Sequence, residues 1–355
     1  MAGVYIHIPF CASRCKYCDF YSTTLLHRRT EYVNVLLREI DERRAEIDKE
    51  PIRTIYFGGG TPSQLPATDI ARLIEAISAD KTEEITVEVN PGDVTTDYLR
   101  AIRSAGVNRL SMGIQSFHDE RLQLIGRRHT ADDARRAVRL IREAGFGNLS
   151  LDLIYGLPGQ TLEEWQDDLD ELLRIAPEHL SAYCLQWEEG TPLMEMYRRG
   201  EVDMTDEETE TAMFDTLCEQ TRKAGYEHYE VSNFAKPGYY SLHNSNYWNN
   251  TPYIGIGAAA HSYDGKTRSS NPSDIEQYIQ RTARAIEPLS DADRYNERIM
   301  LSLRTSKGIP CAEVQDQESV NKLIAQGLLR KEGEQLVATL QGLHILNRII
   351  EQLMI

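Results

Sequence analysis

Short runs of β-branched and aromatic residues alternate, along the first half of the chain, with segments whose apolar residues recur at helical spacing. The runs predict six strands, which are VYIHI (4–8), TIYF (54–57), ITVEV (85–89), RLSMGI (109–114), LSLDLI (149–154) and LSAYCL (180–185). Helical spacing between them is typified by Ile70, Leu73, Ile74 and Ile77. Because a parallel strand must be followed by a crossover connection, these units predict an α/β fold, either a doubly wound sheet or a full or partial (β/α) barrel.

The unusual residues of this half lie just after the predicted strands. Cys11 follows the first strand, GGGTP (58–62) follows the second and Asn90 follows the third. In both candidate architectures the carboxyl ends of the parallel strands carry the chemistry. We therefore expect the functional site at this edge of the sheet.

The end of the chain has a different pattern. We predict one helix from Ala292 to Leu303, a second from Ser319 to Gln326, a hairpin over LLRKEGEQLVA (328–338) and a single amphipathic helix from Leu340 to Leu353. This order of elements resembles a winged-helix module. Such modules often bind DNA, but 39 Lys and Arg against 55 Asp and Glu give a net charge of −16, which repels phosphate backbones. We therefore expect no nucleic-acid partner, and a packing or docking role for the module.

Composition also sets the expected compartment. No stretch approaches the roughly 18 apolar residues of a spanning helix, and the N-terminal segment lacks the features of a signal peptide. Three of the six cysteines fall between residues 11 and 18, a density that indicates metal or redox chemistry in a reducing compartment. We expect a cytoplasmic protein.

The spacing Cys11-x-x-x-Cys15-x-x-Cys18 supplies three soft thiolates from one loop. A cubane iron–sulfur cluster held by three cysteines keeps one iron open for a small chelating ligand. The alternative is a structural zinc site completed by His7 or Asp19. Zinc usually requires a second pair of cysteines, whereas Cys184, Cys218 and Cys311 are isolated in the sequence.

The segment YIHIPFCASRCKYCDF (5–20) resembles the signature of the radical S-adenosylmethionine (SAM) superfamily. The similarity extends over essentially the whole chain, and within the superfamily it is to the branch of the oxygen-independent coproporphyrinogen III oxidases and the HemW-type heme chaperones. The resemblance implies a partial (β/α)6 TIM-type barrel with a C-terminal winged-helix-like module. It also implies a [4Fe–4S] cluster on Cys11, Cys15 and Cys18, with SAM bound beside it.

The resemblance assigns a SAM pocket to residues that match the family's motifs in this sequence, and no catalytic residue is assigned. These positions are Tyr5, Tyr17, Gly59, Gly60, Thr61, Glu88, Gln115, Arg127 and Asp152. Their chemistry suits the ligand, since Tyr17 is a flat partner for adenine, Glu88 a partner for a cation and Arg127 a fork for a carboxylate. Taken singly, each could instead make an ordinary structural hydrogen bond.

Two features bear on the activity within this branch. The oxidases carry a fourth cysteine where this chain has Phe20. They also have an N-terminal segment that covers the substrate. We do not expect such a segment here, because the chain begins three residues before its first predicted strand. The segment His243-Asn244-Ser245-Asn246-Tyr247-Trp248 matches the H-N-x-x-Y-W pattern of the heme chaperones, in which the histidine is the heme contact. His243 could equally pin a loop, with Tyr247 and Trp248 as local core.

We therefore expect a heme chaperone that binds [4Fe–4S], SAM and heme and delivers heme to apoproteins such as respiratory enzymes. The alternative is an oxygen-independent coproporphyrinogen III oxidase or another radical SAM enzyme acting on a tetrapyrrole, and whether SAM is cleaved is open. Expected partners are heme, heme-receiving apoproteins and a reductant protein, with transient membrane contact and a homodimer as further options. Predicted domains are a radical SAM core (1–225), an extension with the heme segment (226–285) and the C-terminal module (286–355).

Overall fold

The computed structural model describes residues 2–77 and 82–355. Six parallel strands form the centre of the fold, and each begins and ends within two residues of its predicted run. They are β1 (Ala2–Ile8), β2 (Ile52–Gly59), β3 (Glu84–Val89), β4 (Arg109–Gln115), β5 (Leu149–Tyr155) and β6 (His179–Cys184).

The helices of the first 225 residues lie between and after these strands. They are α1 (Arg29–Glu42), α2 (Arg44–Ile47), α3 (Ala67–Ile77), α4 (Thr96–Ser104), α5 (Asp119–Leu124), α6 (Ala131–Glu143), α7 (Leu162–Ile175), α8 (Pro192–Arg198) and α9 (Glu207–Lys223). Capping boxes fix the starts of α6 and α7. The Thr130 hydroxyl accepts from Asp133 N–H, and the Asp133 carboxylate accepts from Thr130 N–H. Thr161 and Glu164 form the same reciprocal pair.

Strands β1 to β6 pair in chain order, each parallel to the next. A doubly wound sheet would reverse this order at a switch point. The observed order is therefore that of the predicted partial (β/α)6 barrel. Val4, Ile6 and Ile8 of β1 lie in the main hydrophobic core. The alternate residues Tyr5 and His7 contact each other through the Tyr5 hydroxyl and His7 Nδ1, 3.0 Å apart.

The middle of the chain adds further strands to both edges of this sheet. The sequence analysis did not predict these strands. Its elements are β7 (Glu227–Glu230), β8 (Asn233–Ala235), α10 (Leu242–Trp248), β9 (Tyr253–Ile256), β10 (His261–Tyr263), β11 (Thr267–Ser270), α11 (Ile275–Ile279) and β12 (Ala285–Pro288). Strand β8 pairs antiparallel with β6, and β9 pairs parallel with β1. Helix α10 packs beneath β1 and β2.

The end of the chain forms a second hydrophobic core around a three-stranded antiparallel sheet. Its elements are α12 (Asp291–Ser302), β13 (Ile309–Pro310), α13 (Gln317–Ala325), β14 (Leu329–Glu332), β15 (Gln335–Ala338), α14 (Leu340–His344) and α15 (Leu346–Leu353). Backbone bonds from Val231 N–H to Arg304 O (2.9 Å) and from Ser306 N–H to Tyr229 O (3.0 Å) join it to the barrel.

The prediction of one helix from Leu340 to Leu353 is wrong. Ile345 leaves the helical conformation (φ −123°, ψ 28°) and separates α14 from α15. The two helices have different attachments: His344 of α14 pairs with Asp215 of α9 at 3.0 Å, whereas Leu346 and Ile349 of α15 lie in the C-terminal core. A straight helix could not satisfy both.

None of the helices in the described part of the chain has the length and apolar character that a membrane span requires.

Candidate functional site

A cavity of about 550 Å³ lies inside the six parallel strands and reaches from the cysteine loop down to α10. Eight of the nine predicted SAM residues line it together with the three cysteines: Cys11, Cys15, Cys18, Tyr17, Gly59, Gly60, Thr61, Glu88, Gln115, Arg127 and Asp152. We call it the main cavity. Tyr5 is the predicted residue that does not line it.

The cysteine loop is held at its base and in its middle by backbone bonds. Cys11 N–H donates to Thr23 O and Lys16 N–H to Ile125 O, both at 2.9 Å. The Cys11 thiol is buried and lies 3.5 Å from Thr61 Oγ1, while Cys15 and Cys18 are half-buried. The loop is therefore shaped by the protein, with its three thiols directed to one cavity.

Burial raises the pKa of the Cys11 thiol and raises that of Cys18 to about 11, because a thiolate loses its hydration there. A bound metal centre reverses this preference, since a coordinating thiol is deprotonated. In the described residues, no group of three or more His, Cys, Asp or Glu could hold a single metal ion.

The glycine turn after β2 lies directly against the cysteine loop. Gly60 N–H donates to Ile8 O at 2.9 Å, and a Cβ on Gly60 would lie 2.6 Å from the carbonyl carbon of Pro9. Gly59 has φ +113° and leaves no room for a side chain beside the His7 ring, 2.5 Å away. Glycine at these positions brings the turn and the cysteine loop together at the mouth of the cavity.

Two carboxylates face the main cavity from β3 and β5, on either side of β4. Glu88 accepts from the Tyr56 hydroxyl at 2.8 Å and from Gly59 N–H at 3.2 Å. Asp152 accepts from the hydroxyls of Ser111 (3.2 Å) and Ser150 (3.2 Å). Burial raises the pKa of Glu88 to about 7 and raises the pKa of Asp152, because both carboxylates lack bulk water. A cationic ligand in the cavity would stabilise their charged forms.

Arg127 and Gln115 approach the cavity from the region after β4. Arg127 donates through Nη2 to Gly113 O at 2.5 Å, and its Nη1 lies 3.6 Å from Cys15 Sγ. Its Nε is buried and has no hydrogen-bond partner in the described residues. Gln115 takes a left-handed conformation (φ 74°), which redirects the chain at the end of β4. Arg127 thus presents an unpaired donor beside the cysteine loop.

The two predicted tyrosines have different places. Tyr17 lines the main cavity and packs against the hydrophobic cluster that includes Ile125 and Ile154. Tyr5 stacks on the ring of Tyr56, with centroids 6.2 Å apart and the planes inclined by 25°. It therefore supports the cavity wall from behind. His7, considered as a ligand in the zinc alternative, contacts the Tyr5 hydroxyl through Nδ1 and donates through Nε2 to Tyr21 O, both at 3.0 Å.

The sequence prediction missed several side chains of the cavity wall. Arg109 and Ser111 line it from β4, on the same face as Gly113, and these positions recur with the strand period of two. Tyr56 of β2 and Asn244 of α10 line it as well. The alternation along each strand could have identified the strand residues, but nothing local to Asn244 indicated that α10 would form the floor.

The three heme-segment residues lie on α10, below the main cavity and outside its lining. His243 is 1% exposed. Its Nδ1 is 2.8 Å from Thr54 Oγ1 and its Nε2 is 3.0 Å from the Tyr247 hydroxyl. Burial lowers the pKa of His243 to about 3, so the imidazole is neutral and both of its nitrogens are engaged.

Trp248 lies at the other end of α10 and lines a second cavity of about 550 Å³. The C-terminal module contributes Arg298, Lys307 and Gln335 to this space, and α10 also contacts α12 of that module. The predicted heme segment therefore spans two environments, with His243 enclosed and Trp248 half-buried beside a space.

A partial barrel with three cysteines of one loop at its mouth is the arrangement of the radical SAM class, and the family model described as the radical SAM superfamily matches residues 5–172. The model described as the HemN C-terminal domain matches residues 289–345. Proteins named heme chaperone HemW from Lactococcus lactis, Bacillus subtilis and Escherichia coli are 35%, 36% and 34% identical to this chain. The alignments cover 99%, 87% and 98% of this chain and 97%, 85% and 97% of those proteins. The chain belongs to the HemW family of the radical SAM superfamily.

Among solved structures, coproporphyrinogen III oxidase (HemN) from Escherichia coli matches with a TM-score of 0.83. The match covers 99% of this chain and 89% of that chain at 23% identity. At this identity the likeness concerns the fold, and it confirms the predicted barrel with its C-terminal module.

Membership of the radical SAM superfamily implies a [4Fe–4S] cluster and SAM, and the residues of the main cavity fit both groups. Three thiols from one loop suit a cluster with an open iron. The carboxylates of Glu88 and Asp152 suit a cationic ligand, and the unpaired Nε of Arg127 suits a carboxylate.

Proposed function

We propose that this protein is a heme chaperone that holds a [4Fe–4S] cluster and SAM in the main cavity, binds heme and delivers it to apoproteins. The proposal rests on one observation. The three cysteines and the polar residues of the predicted SAM pocket line the same cavity, in a chain of the HemW family. The name of the relatives supports the heme part of the proposal.

In this proposal Cys11, Cys15 and Cys18 hold the cluster, which supplies an electron for reductive cleavage of SAM when both are bound. The SAM residues are those predicted from the sequence, namely Tyr5, Tyr17, Gly59, Gly60, Thr61, Glu88, Gln115, Arg127 and Asp152. Tyr5 acts indirectly, through its stacking on Tyr56. The polar groups of the cavity orient the ligand, and Arg127 links the pocket to the loop through Cys15.

The heme contact in this proposal is His243, with Tyr247 and Trp248 as aromatic partners for the porphyrin. We further propose a cytoplasmic location, a separate reductant protein for the cluster, and recipients among respiratory enzymes, reached by transient membrane contact. A homodimer is compatible with this scheme. The functional units are residues 1–225, 226–285 and 286–355.

The test is heme binding and transfer by protein prepared without oxygen. Hemin titration should give a Soret band at one equivalent, and addition of a heme-free respiratory enzyme should restore that enzyme's activity faster than the same concentration of free hemin does. Absence of a saturable Soret band would refute the proposal. Conversion of coproporphyrinogen III to protoporphyrinogen IX in a parallel assay would assign the protein to the oxidases instead.

A further inference from the structure

His243 is enclosed on every side that its imidazole could offer to a metal. It is 1% exposed, and its Nε2, 3.0 Å from the Tyr247 hydroxyl, has no free lone pair directed to solvent. The ring of Tyr56 stacks on it at a centroid distance of 5.0 Å with planes inclined by 26°. An iron atom cannot reach this nitrogen while α10 keeps its position.

Several polar bonds hold α10 in that position. The Glu84 carboxylate accepts from Leu242 N–H (3.1 Å) and His243 N–H (3.0 Å), the first free donors of the helix. Thr54 Oγ1 contacts His243 Nδ1 at 2.8 Å and accepts from Asn246 Nδ2 at 3.3 Å. These bonds all lie at the floor of the barrel, and all are made by the side chains of two strands, β2 and β3.

The two ends of α10 have different surroundings. Its bonds to the barrel floor are made by Leu242, His243 and Asn246. Asn249 and Trp248, at the carboxyl end, border the second cavity, and α10 also contacts α12 of the C-terminal module. The bonds that keep His243 buried are therefore those to Glu84 and Thr54.

We propose that α10 acts as a latch that keeps its own residue His243 buried against the barrel floor. Heme is bound through this histidine only after the bonds of α10 to Thr54 and Glu84 are broken and the helix leaves the floor. The inference rests on the proposed function and adds the step that controls heme access. The apparent heme affinity is then the intrinsic affinity reduced by the fraction of molecules in which the latch is open. A substitution that weakens the closed state must increase the apparent affinity.

Thr54→Val tests this relation, because valine keeps the volume and removes the hydroxyl that holds His243 and Asn246. We expect an apparent Kd for hemin about fivefold lower than wild type, measured by Soret titration. His243→Ala should raise the Kd by about tenfold, and the double variant should show no gain from Thr54→Val. Thr86→Val is the matched control, since Thr86 is buried at 0% exposure on the next strand and its hydroxyl has no hydrogen-bond partner in the described residues.

A measurement on the unaltered chain removes dependence on how the variants fold. Hydrogen exchange of the backbone amides of 242–248 should accelerate on addition of hemin, because Leu242 and His243 lose the Glu84 carboxylate. Unchanged exchange with bound hemin overturns the latch. So does a Thr54→Val variant that binds hemin no more tightly than wild type, or a His243→Ala variant with wild-type affinity. A wild-type protein that binds no hemin at all contradicts the proposed function itself.

Discussion

The main cavity and the floor beneath it are both polar, yet they differ in how their polar groups are satisfied. In the main cavity the Nε of Arg127 has no partner among the described residues, and the carboxylates of Glu88 and Asp152 are held without a cation in hydrogen-bonding contact. At the floor, both nitrogens of His243 and the first amides of α10 have partners within 3.1 Å.

This difference separates a site that is ready for a ligand from one that is complete by itself. Unpaired buried groups cost free energy unless something else satisfies them, so the main cavity gains stability when an ion or polar ligand enters. At the floor, the nitrogens of His243 and the first amides of α10 are already paired, so a ligand there must first break existing bonds. Two variants and a change of pH test this difference.

The largest effect is expected from the cysteine loop. Replacement of Cys11, Cys15 and Cys18 by alanine should reduce bound iron and inorganic sulfide to below about a tenth of wild type, because the ligands of the cluster are removed. Elemental analysis of oxygen-free protein measures this. Cys311→Ala, in the C-terminal module, is the control and should retain both elements.

The same triple variant also tests whether heme binding depends on the cluster. The His243 side chain contacts Thr54, Tyr247 and the ring of Tyr56, none of which belongs to the cysteine loop, so the Kd for hemin should stay within about twofold of wild type. A tenfold change would show that the floor depends on the cluster and would contradict this expectation.

Glu88→Gln is expected to have the next largest effect. The amide cannot balance a cation, so the Kd for SAM should rise by about tenfold, equal to roughly 1.4 kcal/mol, in anaerobic calorimetry. Glu83→Gln alters an exposed carboxylate that pairs with Arg53 and should leave the Kd unchanged. Equal affinities for the two variants would remove Glu88 from the SAM pocket.

The smallest effect is a pH dependence of SAM binding. Burial raises the pKa of Glu88 from 4.5 to about 7, so this group loses its charge as the pH falls through neutrality. Between pH 8 and pH 6 the ionised fraction drops about tenfold, and the Kd for SAM should rise by up to that factor. Glu88→Gln should flatten the curve, and a wild-type Kd that stays constant over this interval would contradict the assignment.

The raised pKa of Glu88 also makes the stability of the fold depend on pH. Between pH 4.5 and about 7 folded Glu88 keeps a proton that the unfolded chain releases. The contribution of this group to stability is therefore fully present below pH 4.5 and is lost as the pH rises through the folded pKa.

The sequence predicted the barrel well because its signals are local. Alternating and β-branched residues marked β1 to β6, and the residues at the strand ends converge in one cavity since parallel strands end at the same edge. Strands β7 to β12 were not predicted, because short strands of three or four residues at sheet edges carry little pattern.

Long-range packing explains the remaining differences. The position of α10 depends on Glu84 and Thr54, which are more than 150 residues away in the chain. Tyr5, which the resemblance assigned to the SAM pocket, stacks behind Tyr56, and Tyr56 is the tyrosine that contacts Glu88. The break at Ile345 follows from the attachment of His344 to α9, which the amphipathic pattern of the final helix does not contain.

Tyr56 touches both regions: its hydroxyl donates to Glu88 at 2.8 Å and its ring stacks on His243. Release of His243 must therefore change the surroundings of a residue that also sets the charge of the cofactor pocket. Thermodynamic linkage then requires reciprocity, so that any change SAM makes in the affinity for heme is matched by an equal change that heme makes in the affinity for SAM. Through the ring of Tyr56, the affinity for heme and the affinity for SAM thus depend on each other.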